Sequence, residues 1–172
     1  MSNATFLGQV LVIDDEQSVR QSFCQTLSLE GYEGLDFEHP MDALALCNQK
    51  WMGVIVCDLR MPKMDGLSVL EAVQAIDPEI PIILFSAHAD IAIAIKAIRS
   101  GAYEFLEKTD DPQKQMDTIH RAWQKRQLVL ENRALRISLA EKHEIEHRLL
   151  GHSEVMQDIR QSVLQLAQLD VD

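Results

Sequence analysis

"VIVCDLRMPKMDG", residues 54–66, opens on four apolar residues and then sets an aspartate, Asp58, at the end of the run. The run, preceded by Gly53, reads as a strand of a buried sheet. A carboxylate at the end of such a strand is expensive unless something compensates it. Beyond it, Leu67, Leu70, Val73 and Ile76 stand at helical spacing, and that helix ends before Pro78.

The same alternation recurs on both sides. "QVLVI" (9–13) is a short, continuously apolar run, as in a strand buried on both faces. Residues 17–29 carry Val19, Phe23 and Leu27 at helical spacing, and Gly31 stops that helix. "YEGLDF" (32–37) reads as a second strand, and "PMDALALCNQ" (40–49) as a helix opened by Pro40. "IPIILFS" (80–86) is a fourth strand. "DIAIAIKAIRSG" (90–101) is a helix capped by Asp90 and stopped by Gly101. "YEFLEK" (103–108) is a fifth strand, and a helix follows from Pro112. Five strand–helix units predict an α/β fold: a doubly wound, mostly parallel five-stranded sheet with helices on both faces.

Ligands of such sheets bind outside the carboxyl ends of the strands. Strand one delivers Asp14 and Asp15 there, strand three Asp58, strand four Ser86 and strand five Lys108. Three carboxylates in one cleft repel each other, so one holds a proton or a cation binds. A hard, oxygen-seeking ion such as Mg²⁺ suits a site of few carboxylates, several waters and a phosphate. Ser86 can donate to a phosphoryl oxygen, and Lys108 is a point positive charge for one. An ionised aspartate beside a metal is a competent nucleophile toward phosphorus, and the product is an aspartyl phosphate. Asp58 is the candidate acceptor.

Composition fits this reading. The chain has 172 residues, 47% of them hydrophobic, enough for one domain of common size plus an appendage. Residues 1–111 hold 18 acidic against 7 basic side chains; residues 112–172 hold 9 of each. The whole formal charge of −11 therefore sits in the first part, which argues against nucleic-acid binding there. No apolar run is long enough to span a membrane, and the first residues lack the basic start of a secretion signal. Cys24, Cys47 and Cys57, an odd number without CxxC spacing, read as free thiols of a reducing compartment, hence a cytoplasmic protein.

"VLVIDDE" (10–16), "VIVCDLRMPKMDG", "PIILFSAH" (81–88) and "GAYEFLEK" (101–108) together resemble the receiver domain of bacterial response regulators, over residues 8–126. The resemblance implies a flavodoxin-like receiver with Asp58 as phosphoacceptor and Mg²⁺ as cofactor. It makes Asp15 a direct metal ligand, Asp14 a partly water-mediated one, and the main-chain carbonyl of Arg60 a further donor. Ser86 and Lys108 would bind the phosphoryl group, and Phe105 would hold the place of the aromatic switch. It also implies a sensor histidine kinase as partner. One departure stands out: the family commonly has proline after the strand-five lysine, often with a cis bond, and this chain has Thr109. A cis bond before a non-proline costs about 2.5–4 kcal/mol, so the loop is either trans or strained.

After Pro112 the helical pattern runs without glycine or proline to Leu150. Two apolar rows appear: Trp123, Leu130, Ala134 and Ile137 on one face, and Leu128, Leu135, Leu139 and Leu149 on another. One helix cannot bury both on one side. The expected solution is a long helical linker, residues 127–150, forming a homodimeric coiled coil on one row while the other packs on its own receiver or a neighbouring chain. Lys142 interrupts the second row, and Asn132 is a candidate register residue. His143 and His147 stand at i,i+4, but no third metal ligand accompanies them.

"LVLENRALR" (128–136) and "LLGHSEVMQDIRQSVLQLAQLDVD" (149–172) resemble the linker and the opening of the ATPase domain in NtrC-like, sigma-54-dependent activators. Residues 151–172 would then be a truncated ATPase start, since no GxxxxGK[ST] loop occurs. The longer protein would act through that ATPase on sigma-54 RNA polymerase. On this reading the fragment is not an enzyme and binds neither nucleic acid nor membrane. A competing reading is a metal-dependent phosphatase with an aspartate nucleophile; it calls for a second aspartate two residues on, where Arg60 stands. A third is a stand-alone receiver acting by partner binding, against which the long last helix argues.

Overall fold

The computed structural model describes residues 6–88 and 91–151, those from 143 onward by backbone alone. The expected Asp90 cap, the side chains of His143, His147 and Leu149, and residues 152–172 lie outside the described residues. The elements in chain order are β1 (Gln9–Ile13), α1 (Gln17–Leu29), β2 (Glu33–Phe37), α2 (Pro40–Leu44), β3 (Gly53–Asp58), α3 (Gly66–Ile76), β4 (Ile82–Ser86), α4 (Ile91–Arg99), β5 (Glu104–Glu107) and α5 (Pro112–Gly151). The sheet order is β2-β1-β3-β4-β5, with every neighbouring pair parallel. The chain steps outward in one direction from β1 to β2 and in the other from β3 on. Between β1 and β3 the covering helices part, and a crevice opens at the strand ends.

Alternation along the strands sorts the apolar residues into two cores. Leu11, Ile13, Ile55, Cys57, Ile82 and Leu84 serve one, with Leu70 and Val73 of α3 and Ala97 of α4. Val10, Val12, Val54, Val56, Ile83 and Phe85 serve the other, with Leu27 of α1 and Met116, Ile119 and Ala122 of α5. Two buried faces explain why β1, β3 and β4 read as nearly continuous apolar runs, whereas the outer strands β2 and β5 carry charged residues. Each fully buried aliphatic side chain contributes about 1.5–3 kcal/mol. Cys57 belongs to the first core as a free thiol; burial, then the nearby Asp58 charge, pushes its pKa well above the usual 9.0.

The expected helix stops are present. Tyr32 N–H reaches the Leu27 carbonyl at 2.9 Å and Ala102 N–H reaches that of Ala97 at 3.0 Å. Each bond closes over a left-handed glycine, Gly31 at φ 84° and Gly101 at φ 97°.

One element is shorter than its sequence suggests. The helix expected over residues 40–49 ends at Leu44. Leu46 and Cys47 N–H turn back to carbonyls only three residues away, at 3.1 and 3.0 Å. Past that turn, the Asn48 and Gln49 carbonyls accept from the Arg126 guanidinium at 3.3 and 3.2 Å.

Arg126 is fully buried. Its Nε donates to the Trp51 carbonyl at 2.9 Å, and its Nη1 donates to Asp77 Oδ2 at 2.8 Å. One side chain of α5 thus closes the α2–β3 loop and the end of α3. Beyond it α5 runs on without a break for 40 residues in all. By internal contacts the chain divides at Leu130, with the sheet and its helices in the first unit.

The clasp generates a test. Removing one partner of a buried ion pair typically costs about 3–5 kcal/mol. Arg126→Met is expected to lose stability of that order in urea unfolding. Adding Asp77→Leu should recover only part, because three carbonyls still lack their donor. Equal stability of Arg126→Met and wild type would show that the clasp contributes nothing.

Candidate functional site

Strand ends place the five predicted side chains at one edge of the sheet. Asp58 is the last residue of β3 and Ser86 the last of β4. Asp14 follows β1, and its N–H still donates the ladder's last bond, to the Phe37 carbonyl at 3.3 Å. Lys108 follows β5, tied by its N–H to the Ser86 carbonyl at 2.8 Å.

The compensating group for Asp58 is Lys108. Its Nζ lies 2.8 Å from Asp58 Oδ1 and 2.7 Å from Asp14 Oδ2. Both carboxylates are buried, at 6% and 4% exposure. Each keeps its second oxygen on a main-chain donor: Asp58 Oδ2 accepts from Arg60 N–H at 2.9 Å, and Asp14 Oδ1 from Glu16 N–H at 2.9 Å. Burial by itself would lower the Lys108 pKa, but hydrogen bonds to Asp14 and Asp58, and their charges, outweigh it and leave the ammonium above its usual 10.5.

Asp15 is exposed and lines, with Asp58, Arg60, Ser86, His88 and Lys108, a pocket of about 200 Å³. Ser86, buried, spends its hydroxyl locally: Oγ donates to the His88 carbonyl at 2.8 Å and accepts from His88 N–H at 3.3 Å. Phe105 is half-buried against the core that includes Leu84 and Ala97. Among the described residues there is no cis peptide bond, so Lys108–Thr109 is trans and the lysine still reaches both carboxylates.

Gly66 sets the loop after Asp58. A Cβ there would sit 2.6 Å from the Asp58 carbonyl oxygen, so only glycine lets α3 start against the end of β3. Asp65 caps that start, accepting from Ser68 N–H at 2.8 Å.

Among the described residues no three or more carboxylate, imidazole or thiolate groups close into a metal cage. The donor set does suit an ion that keeps most of its water. Asp14 and Asp58 share one ammonium, so their oxygens lie no farther apart than the sum of those two contacts. With Asp15 lining the same pocket, these are oxygen donors, few in number and open on one side, as Mg²⁺ prefers.

Two residues escaped the sequence reading. Arg20 on α1 is buried; its Nη1 donates to the Asp14 carbonyl at 2.7 Å and its Nε lies 3.4 Å from Asp36 Oδ2. The available signal was that Arg20 is the only cation in the first 49 residues. His88, through its main chain, is the partner that holds Ser86, and nothing in its sequence context marks it.

In the linker rows, Leu128, Leu135, Ile137 and Leu139 are exposed, by 59 to 65%. Leu130 is half-buried. Trp123 is committed to its own domain: its ring stacks on His120 at 6.4 Å and meets Tyr32 edge-on at 6.3 Å, directly over Gly8.

Residues 10–120 match the family described as response regulator receiver domain. The chain is 44% identical over 95% of its length to the C4-dicarboxylate transport transcriptional regulatory protein DctD of Pseudomonas aeruginosa, and 39% identical over 95% to that of Rhizobium meliloti. It spans only 36% and 35% of those two proteins. Among solved structures, a response regulator receiver domain protein from Clostridium thermocellum superposes with a TM-score of 0.67 at 30% identity, over 72% of this chain and 99% of that one. The beryllofluoride-activated NtrC4 receiver domain dimer gives 0.64 at 33% identity, over 69% and 98%.

The lysine bridge generates a pH prediction. A raised pKa in the folded state means that Lys108 stabilises the protein below about pH 10.5, and that this contribution disappears as pH rises through the folded value. The stability difference between wild type and Lys108→Met, from urea melts, is expected to be constant near neutrality and to shrink above pH 10.5. A difference that holds constant to pH 12 would contradict the bridge.

Proposed function

The chain belongs to the response regulator receiver family, and on that premise we propose that it accepts a phosphoryl group on Asp58 in the presence of Mg²⁺ and passes the change of state to the helix that leaves the domain. The observation that carries the reading is the Lys108 ammonium shared by Asp14 and Asp58 at the switch point of the sheet. It holds one nucleophilic carboxylate and one supporting carboxylate in a single cleft.

The chemistry follows from these residues. An Asp58 oxygen attacks phosphorus in line, the bond from phosphorus to the donor's leaving atom breaks, and the leaving group departs with the electron pair. Asp14, Asp15, Asp58 and the Arg60 carbonyl would hold Mg²⁺, which when bound neutralises charge on the transferring group. Lys108 exchanges a carboxylate contact for a phosphoryl oxygen. Ser86 gives up the His88 carbonyl and donates to another. That motion vacates space beside β4, and Phe105, half-buried on neighbouring β5, turns inward to fill it. α5 starts a few residues beyond and continues into the linker.

In the longer regulators the donor would be a sensor histidine kinase, and the output control of an ATPase domain that acts on sigma-54 RNA polymerase in the cytoplasm. The division into a receiver (8–126), a dimerising linker (127–150) and an ATPase start (151–172) belongs to the same proposal. The exposed leucines of α5 support a homodimer through the linker, Leu128, Leu135 and Leu139 with Leu149 continuing the row. The likeness to a receiver domain dimer supports dimerisation, without bearing on the linker.

Two measurements test the reading. Intact mass after incubation with acetyl phosphate should show one added phosphoryl group that requires a divalent ion and vanishes in Asp58→Asn; a gain that survives either change rules out the assignment. In sedimentation, the full chain should be a dimer and a chain ending at Gln127 a monomer. Monomers in both cases would remove the coiled-coil claim.

A further inference from the structure

The exposed leucine row of α5 has a polar member, and its place in the row is informative. Counted in heptads abcdefg, Leu128 and Leu135 fall on d, Asn132 and Leu139 on a, and Lys142 on the next d. The a position before this stretch is Lys125, and it stays with its own domain. Its Nζ lies 3.8 Å from Glu79 Oε2 and 5.8 Å from the centre of the Tyr103 ring. From Leu128 on, the a and d side chains are released. Leu128, Leu135 and Leu139 are 63 to 65% exposed, and Asn132 among them is exposed as well.

A second copy of the same helix, parallel and in register, satisfies all of these side chains. In that arrangement a faces a and d faces d, so each leucine meets a leucine. The Asn132 amide meets its own counterpart, donor to acceptor. A slip by one heptad sets Asn132 against Leu139 or Lys125 instead. An antiparallel pair, in which a faces d, sets it against leucine. Either way a desolvated amide is left without a partner, which costs more than the bond itself returns.

The flanks carry an independent observation. Glu131 falls on g and Arg136 on e. In a parallel pair, g faces the e position five residues further along the other helix. Glu131 therefore meets Arg136 of the partner subunit, and by symmetry the contact forms twice. In an antiparallel pair g faces g and e faces e, and the opposite charges no longer meet. Within one helix the two positions lie about 140° apart around the axis and cannot pair.

We propose that Leu128, Asn132, Leu135 and Leu139 form a parallel, two-helix seam with a second copy of this chain, in which Asn132 sets the register and the number of helices, and Glu131 with Arg136 sets the orientation. The proposal rests on the homodimer reading given above and adds which residues select the partner. Asn132 weakens association and in exchange excludes the other arrangements. Lys142 ends the seam, because the next d layer would bring two ammonium groups together.

The test uses the full chain without a phosphoryl donor, so it is independent of Asp58. In sedimentation equilibrium the chain should form dimers and nothing larger. Asn132→Leu should tighten association at least about tenfold, as an apolar side chain is buried in place of an amide, and should admit species larger than the dimer. Arg136→Glu should weaken the dimer at least about threefold, and adding Glu131→Arg should restore it; a side chain that only supports its own helix would not be rescued by exchanging charges. Leu128→Cys should give a disulfide-linked dimer under mild oxidation, and the unsubstituted chain treated alike should not, because only a parallel, in-register pair brings both copies of position 128 together. The substituted side chains are exposed, so the receiver fold is retained in each variant. Monomers for both the full chain and a chain ending at Gln127 would remove the homodimer reading and this seam with it. A dimer whose size and affinity are unchanged by Asn132→Leu, that is not rescued by the charge exchange, or that fails to cross-link at position 128 overturns the seam and leaves the homodimer reading standing.

Discussion

A single ammonium group, Lys108 Nζ, touches two buried carboxylates that would otherwise repel each other at the end of the sheet. Remove that positive charge and Asp14 and Asp58 face each other in low dielectric, where neither can stay ionised without cost. The bridge lets β1, β3 and β5 end together at one edge, and it holds the two carboxylates in a single cleft. The main-chain donors at Arg60 and Glu16 complete the arrangement, so each carboxylate is satisfied from both sides. A site held by a lysine is also one that an incoming cation or phosphoryl oxygen can reorganise, because Lys108 can trade partners without moving its backbone.

At the opposite end of the sheet a second buried cation has the reverse character. Arg126 spreads its donors over Asp77 and three main-chain carbonyls. A planar guanidinium with four acceptors is a fixed joint, whereas the compact Lys108 head is an exchangeable one. α5 begins near the exchangeable end and passes the fixed end before its exposed leucines start at Leu128.

Lys63, in the loop between β3 and α3, has a φ of 71°, the one positive value at a non-glycine among the described residues. The Asp58 pocket and the adjoining apolar hollow share Asp15 and Arg60 as wall residues.

Most of the fold was legible because it is written in local periodicity. The central strands are runs of apolar residues, the helices spaced rows, and Gly31 and Gly101 carry the left-handed turns that end α1 and α4. The candidate site was legible for the same reason. Asp14, Asp15, Asp58, Ser86 and Lys108 each stand just after a readable strand, and parallel strands must bring such ends together. What tertiary structure decided is which polar atoms meet. Lys108 and Asp14 are 94 residues apart in sequence, and Arg126 and Asp77 are 49 apart. No periodicity encodes such a pair, because the partner is chosen by where the topology delivers a donor, not by its neighbours in the chain. The seating of the Asn48 and Gln49 carbonyls, beyond the end of α2, has this origin, since an arginine from α5 claims them. So has the parking of Ser86 on the His88 main chain, and the burial of Arg20 and Arg126, two cations whose local sequence marks them for solvent. Apolar pattern selects the fold through many weak, non-directional contacts, while hydrogen bonds to buried charges need an orientation that exists only once the chain has folded.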